Sequence, residues 1–314
     1  MKSVVVSSPA TVANVGPGFD ILSFALEGPR DIVKVVLRED SSDIRVKSLD
    51  PRVPSGEANV AYAVAKAFLE EFGLLDVGLD IVINKKVPPA KGLGSSAASA
   101  VATAKALSTL FGIELNEKAL LSIAVRGEEH ASKARHFDNV AASLLGGFVI
   151  SNPRGDEFIR IEPPMRIPVG IVVPLIELPS GKTEYARSLL PRAISLEDQV
   201  LQSFNVAKLV YALLSGDLKK LGEAVSFDLI AEPRRSQIIP YYNELKKLAL
   251  ELGALGFNIS GAGPSVFFFT ESSEKTAQIA EELKRYLENK GVSVETIVSE
   301  VSSRGAKVVD FEDS

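Results

Sequence analysis

A single short stretch narrows the possible folds more than any other part of the chain. Residues 79–87 read Leu-Asp-Ile-Val-Ile-Asn-Lys-Lys-Val and stop at Pro88-Pro89, an alternation that predicts a strand with an abrupt end. Ala90-Lys91-Gly92-Leu93-Gly94 follows, and Ser95-Ser96 then opens an Ala-rich run to Phe111 that predicts a long helix. Glycines let backbone approach a ligand closely, and a helix start offers unpaired N–H groups with a partial positive charge. Strand, glycine turn and helix start therefore form an anion cradle suited to a polyphosphate. No Lys-Ser/Thr pair follows the second glycine, so this is not a Walker A loop. No third glycine is spaced for a dinucleotide fold either. The plainer alternative is an ordinary N-cap, with Ser95 or Ser96 stabilising the helix.

Around this unit the pattern is α+β. Val4–Val6 and Ile32–Leu37 predict strands, and 57–72 predicts a helix with Val60, Val64, Phe68 and Phe72 on one face. Further helices are expected at 116–129 and 139–145, and a hairpin turn at 151–156. Beyond Pro163-Pro164, strands are expected at 169–173, 257–260, 266–270 and 293–298, and helices at 196–214, 241–252 and 275–289. With 314 residues, two domains are expected, 1–162 and 163–314.

Composition excludes several function classes. There is no cysteine, so disulfides, thiolate metal sites and a cysteine nucleophile are ruled out. Two histidines, His130 and His136, are too few for a histidine-rich metal cluster. Lys plus Arg is 35 against 40 Asp plus Glu with no basic block, which argues against nucleic acid or an anionic membrane as partner. The uncharged stretch 253–270 carries four glycines and a proline, so it predicts strand, turn and strand, not a membrane span. Pro9 arrives too early for a secretory signal, and a cytoplasmic location is the expectation.

Three motifs in order then carry a family resemblance. The segment Pro88 to Ala98, with Gly-Leu-Gly-Ser-Ser-Ala-Ala at its centre, resembles the ATP-binding motif of the GHMP kinases. Pro9-Ala10-Thr11-Val12-Ala13-Asn14-Val15-Gly16-Pro17-Gly18-Phe19-Asp20 resembles the first family motif, and Ile259-Ser260-Gly261-Ala262-Gly263-Pro264-Ser265 the third. The resemblance implies a two-domain α+β GHMP kinase fold, its N-terminal domain ribosomal-protein-S5-domain-2-like and its C-terminal domain a ferredoxin-like α/β sandwich. It also implies ATP and Mg2+ as cofactors and, from the habit of the family, a homodimer.

Within the family the segments are most similar to the homoserine kinase branch, which implies L-homoserine as substrate and a place in threonine biosynthesis. Pro9–Asp20 lacks the basic residue usual in the mevalonate and galactose branches. Asn14 and Asp20 look like ligands for the amino acid's polar groups, and His136-Phe137-Asp138-Asn139-Val140-Ala141 is similar to a substrate-binding stretch. By register, Thr183, Arg187 and Arg235 match positions that supply the active site, with Arg234 a solvated neighbour. Paired guanidinium forks suit the carboxylate of a free amino acid. Gly261 is expected beside the substrate.

For the nucleotide, the resemblance assigns Asn59 and the run Pro89, Ala90, Lys91, Gly92, Leu93, Gly94, Ser95, Ser96, Ala97 and Ala98. Ser96 and Glu128 are the expected magnesium ligands; adjacent Glu129 points about 100° away on a helix. Pro54, Val60 and Tyr62 are candidates to flank adenine. The catalytic set is Asp138, Asn139 and Arg187. Aligning on the Asp-Asn pair makes Asp138 the counterpart of the aspartate base used by other branches. Counting back from Gly146 makes it Asn139, which accepts no proton usefully. The reading adopted is catalysis by positioning and electrostatics, with Asp138 a substrate ligand. Alternatives are a kinase of shikimate or mevalonate type, or a non-catalytic relative that binds ATP or a metabolite.

Overall fold

The computed structural model describes residues 2–39, 41–132, 137–155, 157–177 and 181–312, without the side chains of 130–132 and 182–183. The chain opens with two long antiparallel strands, β1 (Ser3–Val15) and β2 (Gly18–Arg38), joined at a tight tip where Val15 pairs with Gly18. Val4, Val6, Val33 and Val35 face one core while Val12, Leu22 and Phe24 face another, so this hairpin serves both halves of the molecule. The short β3 (Ile44–Ser48) is followed by helix α1 (Val60–Glu71) and then β4 (Gly78–Asn84), which pairs with β2 and runs parallel to β3.

Helices α2 (Ser95–Leu110), α3 (Glu117–Ser132) and α4 (Phe137–Leu145) complete the layer over this sheet. The alanines of α2 explain its central place: small side chains let it lie close to β1, β2, α1, α3 and α4 at once. The hairpin β5 (Phe148–Ser151) and β6 (Phe158–Ile161) adds to the other half of β2.

The second sheet starts at β7 (Pro168–Pro174). Helices α5 (Lys182–Ser188), α6 (Leu196–Ser215), α7 (Leu218–Val225), α8 (Glu232–Arg235) and α9 (Tyr242–Glu251) precede β8 (Gly256–Ile259) and β9 (Val266–Phe269). Then come α10 (Ser273–Asn289), β10 (Val294–Glu300) and β11 (Lys307–Glu312). The sheet order β10-β7-β9-β8 is the 4-1-3-2 arrangement of a ferredoxin-like sandwich. Strand alternation divides its residues cleanly. Val169, Ile171, Phe267 and Phe269 face the first half, while Val172, Val266 and Phe268 face α9 and α10. Phe24 meets Phe148 at 4.9 Å and Phe267 at 5.6 Å between ring centres, so one core joins the halves.

One expectation needs correcting here. A division at residue 162 does not hold at the C-terminus, because β11 returns to pair with β1 in the first sheet. In the motif Pro9–Asp20 most residues lie in the ladder, and only Gly16-Pro17 lies between strands. Gly16 sits at φ +56 with the Val225 backbone 2.8 Å from where a Cβ would stand, which locks the hairpin tip against α7.

Candidate active site

The stretch 85–94 crosses from β4 to α2 over a buried ionic support. Asp31, fully buried on β2, accepts the N–H groups of Lys86 (2.9 Å) and Val87 (3.0 Å) and pairs with the Lys85 ammonium. Lys85 also donates to the Ser95 carbonyl at 2.7 Å and to Ser99 Oγ at 3.0 Å. Burial pushes the Lys85 ammonium down, and Asp31 opposes that shift. The pair fixes both ends of the loop.

Above this support three distant segments meet. Ala90, Gly92 and Gly94 all adopt positive φ. A Cβ on Gly94 would overlap Thr11 Oγ1, and one on Gly92 would overlap the Ser260 carbonyl. Thr11 N–H donates to the Leu93 carbonyl at 3.1 Å, Ser260 Oγ to the Gly92 carbonyl at 2.7 Å, and Gly261 N–H to the Ala13 carbonyl at 2.9 Å. Hairpin, glycine loop and C-terminal glycine turn are thus tied through backbone. The first intrahelical bond of α2 is Ala98 N–H to the Gly94 carbonyl, 2.9 Å. The N–H groups of Ser95, Ser96 and Ala97 precede that ladder, at the end of the helix that favours anions.

The opposite wall is charged. Asn14 and Asp20 both take left-handed φ, near +60, and Asp20 N–H donates to Asn14 Oδ1 at 2.8 Å. Arg187 on α5 pairs with Asp20 at 2.9 Å. Arg235, at the end of α8, is buried and donates to the Gly261 carbonyl at 2.9 Å. Desolvation pushes its guanidinium down to about 10, against the pull of Asp20, so it stays charged at neutral pH. Both guanidinium groups lie over the Phe19 ring, Arg235 at 4.8 Å and Arg187 at 5.4 Å.

One cleft of about 250 Å³ is lined by both walls. Of the expected residues it brings together Asn14, Asp20, 90–97, Glu128, Asp138, Asn139, Arg187, Arg235 and Gly261. Asp138 accepts the Asn139 N–H at 2.8 Å, and Asn139 Oδ1 accepts the Thr11 hydroxyl at 2.8 Å. Ser96 and Glu128 supply a hydroxyl and a carboxylate to the same cleft as the phosphate loop. That is a donor set suited to a magnesium ion held mostly by phosphate oxygens and water. Among the described residues no group of three or more His, Cys, Asp or Glu side chains is placed to hold a metal ion.

Several expected residues do other work. Ser95 Oγ donates to the Val87 carbonyl at 3.1 Å, fastening the loop to the strand end. Ala98 is buried in the core and its N–H is spent inside α2, so it offers a nucleotide nothing. Pro89 shapes the turn without lining the cleft. Lys91 reaches away to the Ile176 carbonyl at 2.9 Å. Asn59 caps α1, accepting from Ala61 N–H at 2.9 Å and donating to the Pro54 carbonyl at 2.6 Å, and it lies outside the cleft. Arg234 is exposed, as expected of a solvated neighbour. His136 and the Thr183 side chain lie outside the described residues.

Four contributors escaped the sequence reading: Thr11, Phe19, the Lys85–Asp31 support and Gln202. Gln202 on α6 donates to the Pro17 carbonyl (3.0 Å) and to Asp228 (2.9 Å) and accepts the Leu229 N–H (3.1 Å). It thereby holds the hairpin tip that presents Phe19 and Asp20. Thr11 and Phe19 stood inside a motif already singled out, but only the fold shows what they face. For Lys85 and Gln202, no spacing in the sequence links them to their partners.

Comparison with known proteins agrees with this geometry. Residues 59–147 match the GHMP kinases N terminal domain and 209–289 the GHMP kinases C terminal domain. A homoserine kinase from Methanopyrus kandleri is 43% identical over 272 residues, 84% of this chain and 86% of that protein. One from Thermoplasma volcanium is 37% identical over 290 residues, 92% of this chain and 91% of that protein. The crystal structure of homoserine kinase from Cytophaga hutchinsonii superposes with a TM-score of 0.90 at 38% identity, covering 98% of this chain and 97% of that one. With its two walls built from three family motifs, this chain belongs to the GHMP kinase family.

Proposed function

We propose that this protein is an ATP-dependent kinase that transfers the γ-phosphoryl group to the side-chain hydroxyl of L-homoserine, giving O-phospho-L-homoserine for threonine biosynthesis. One observation carries the reading: an anion-binding helix start and two arginines with an aspartate line the same small cleft. A free amino acid offers a carboxylate to the guanidinium groups and an ammonium to Asp20. A shikimate-type or mevalonate-type alcohol has no ammonium and leaves Asp20 unexplained. The similarity to homoserine kinases in sequence and structure supports the same substrate.

In this reading the N–H groups at 92–97 hold the triphosphate, and Ser96 and Glu128 would hold magnesium. When bound, the ion neutralises charge on the phosphate oxygens. Substrate binding exchanges the Asp20–Arg187 pair for contacts to the amino acid, while Arg235, fixed by Gly261 and Phe19, anchors its carboxylate. The hydroxyl oxygen then forms a bond to the γ-phosphorus as the bond to the β,γ-bridging oxygen breaks and ADP leaves. Asp138 serves as a substrate ligand, oriented by the Asn139 amide, and no residue acts as dedicated base. The hydroxyl proton passes to the transferred phosphoryl group, which a loose transition state tolerates. The protein works as a cytoplasmic homodimer; no helix among the described residues is long and apolar enough to cross a membrane.

The test is a coupled ADP-release assay with Mg-ATP against L-homoserine, L-serine, L-threonine, shikimate and mevalonate. Homoserine is expected to turn over fastest. Equal or faster release with another alcohol would remove the substrate assignment while leaving the kinase class.

A further inference from the structure

Helix α4 is fastened along β1 by side chains one turn apart. Ser143 Oγ donates to the Pro9 carbonyl at 3.1 Å and lies 2.8 Å from Ser8 Oγ. Four residues earlier, on the same face of the helix, Asn139 Oδ1 accepts the Thr11 hydroxyl at 2.8 Å. Ser8 and Ser143 are buried in the fold, whereas Asn139 lines the cleft, so the Thr11 bond is the end of the row that reaches the site. It lies against the glycine loop: a Cβ on Gly94 would overlap Thr11 Oγ1 and stand 2.9 Å from Asn139 Oδ1.

The neighbouring carboxylate decides which way the Asn139 amide points. Asp138 Oδ1 accepts the Asn139 main-chain N–H at 2.8 Å and lies 3.3 Å from Asn139 Nδ2. A carboxylate oxygen only accepts, so the amide atom beside it has to be the NH2 group. The carbonyl oxygen then faces Thr11, and the Thr11 hydroxyl is the donor. The flipped amide would set its oxygen against the carboxylate with no hydrogen between them. Thr11 is wholly buried, where a hydroxyl is costly to leave unpaired. The outcome is a one-way chain, Thr11 to Asn139 to Asp138, whose members polarise one another.

Thr11 holds the phosphate side as well. Its main-chain N–H donates to the Leu93 carbonyl, inside the glycine loop, at 3.1 Å. One residue of β1 therefore grips the nucleotide loop by its backbone and the acceptor side by its hydroxyl. The main chain at Asp138 has a separate anchor, the Ser23 hydroxyl on β2, which donates to its carbonyl at 2.9 Å. What Thr11 sets is thus the side-chain pair and not the course of the helix.

We infer that Thr11 is a positioning residue for phosphoryl transfer. Its hydroxyl locks the Asn139 amide with N–H, not C=O, toward the cleft and keeps Asp138 and Asn139 in register with the phosphate loop. This rests on the kinase reading above and names the residue that ties its two walls together. Thr11 is buried and does not line the cleft, so each ligand still binds without its hydroxyl. What suffers is the alignment of the acceptor oxygen with the γ-phosphorus, and misplacement of that kind costs up to about a hundredfold in rate.

Two substitutions isolate the hydroxyl. Thr11→Ala removes it and keeps the main-chain bond to Leu93, and Thr11→Ser puts the hydroxyl back without the methyl group. In the ADP-release assay with L-homoserine, Thr11→Ala is expected to lose about tenfold or more in kcat. The KM values for ATP and homoserine should each stay within about threefold of wild type. Thr11→Ser should recover most of the loss, which a packing role for the methyl group would not allow. Equal losses in the two variants, an unchanged kcat in Thr11→Ala, or a loss confined to either KM overturns the assignment. Thr11→Val, which fills the space without a donor, gives the same comparison should the alanine variant fail to fold. A second readout needs no turnover. Together, Thr11→Ala and Asn139→Ala should lower the denaturant midpoint by less than the sum of their separate shifts; additive shifts overturn the bond whatever the enzyme phosphorylates. Faster turnover of another alcohol defeats the substrate reading alone, and the serine-to-alanine ratio taken with that alcohol then decides Thr11.

Discussion

The two walls of the cleft solve opposite problems with opposite materials. The phosphate wall is backbone: glycines in left-handed conformation, the open end of α2, and three segments tied together by main-chain bonds. It is built of main-chain bonds within the fold, and the Lys85–Asp31 pair is buried beneath it. The acceptor wall is side chain: Asp20 and Arg187 satisfy one another across the surface, and only Arg235 is locked by burial. A preformed cradle binds the part every kinase substrate pair shares, whereas a wall of exchangeable ion pairs recognises the part that differs. The backbone wall therefore tolerates no change of shape, and the side-chain wall tolerates graded change.

The largest expected effect tests the first half of that contrast. Gly94→Ala forces a Cβ onto Thr11 Oγ1 at a positive φ, so the loop must shift. Loss of preorganised donors of this kind costs roughly 3 kcal/mol, and kcat/KM for ATP should fall by about a hundredfold or more, with the thermal melt lowered by the strained backbone. A variant that binds and uses ATP like wild type would show that the loop is not a rigid cradle.

Why the two walls differed in legibility follows from the same physics. A backbone cradle needs glycines at fixed positions, a strand stop and a helix start, and all of these are consecutive from Val87 to Ala98. Local chemistry was enough to place it. The acceptor wall draws Asp20, Arg187 and Arg235 from three distant segments, and only motif register grouped them. Phe19, which stacks beneath both arginines, and Gln202, which holds the tip from α6, depend on tertiary contacts that no periodicity encodes. Asn59, assigned to the nucleotide by resemblance, serves in the structure as a helix cap, where Asn is among the preferred types. The return of β11 to the first sheet was illegible for the same reason, since its exposed alternation matches any edge strand.

Next in size is Glu128→Gln. Removing a charge-assisted ligand costs about 1.5–3 kcal/mol, so half-saturation by magnesium should rise roughly tenfold or more, with Ser96→Ala smaller. Unchanged metal titration would remove both from the site. On the acceptor wall, Arg187→Lys keeps the charge but loses the fork. Because the Asp20 pair is exposed, stability should change by less than about 1 kcal/mol, while the KM for homoserine rises several-fold and that for ATP holds. Equal movement of both constants would show the two walls to be one unit.

The smallest effect concerns what carries Arg235. Glu232, in the same short helix, is largely buried beside Lys246, and desolvation pushes its carboxyl up despite that partner. A raised value means the folded state binds more protons than the unfolded chain at pH above the ordinary 4.5. The penalty for the ionised form then disappears as pH falls through the raised value. Wild-type stability relative to Glu232→Gln should therefore improve on acidification from neutrality, read from denaturant midpoints. A difference that stays flat, or shrinks, would contradict the shift.

The most direct test of the charged wall pairs one variant with one analogue. Homoserinol is the same amino alcohol with its carboxylate reduced to a hydroxymethyl group. If Arg235 anchors the carboxylate, wild type should prefer homoserine over homoserinol by about 10- to 100-fold in kcat/KM, the worth of a charge-assisted contact. In Arg235→Ala that preference should collapse towards unity through the homoserine KM, with the KM for ATP nearly unmoved. Undiminished preference in the variant would mean that Arg235 does not read the substrate's acid group.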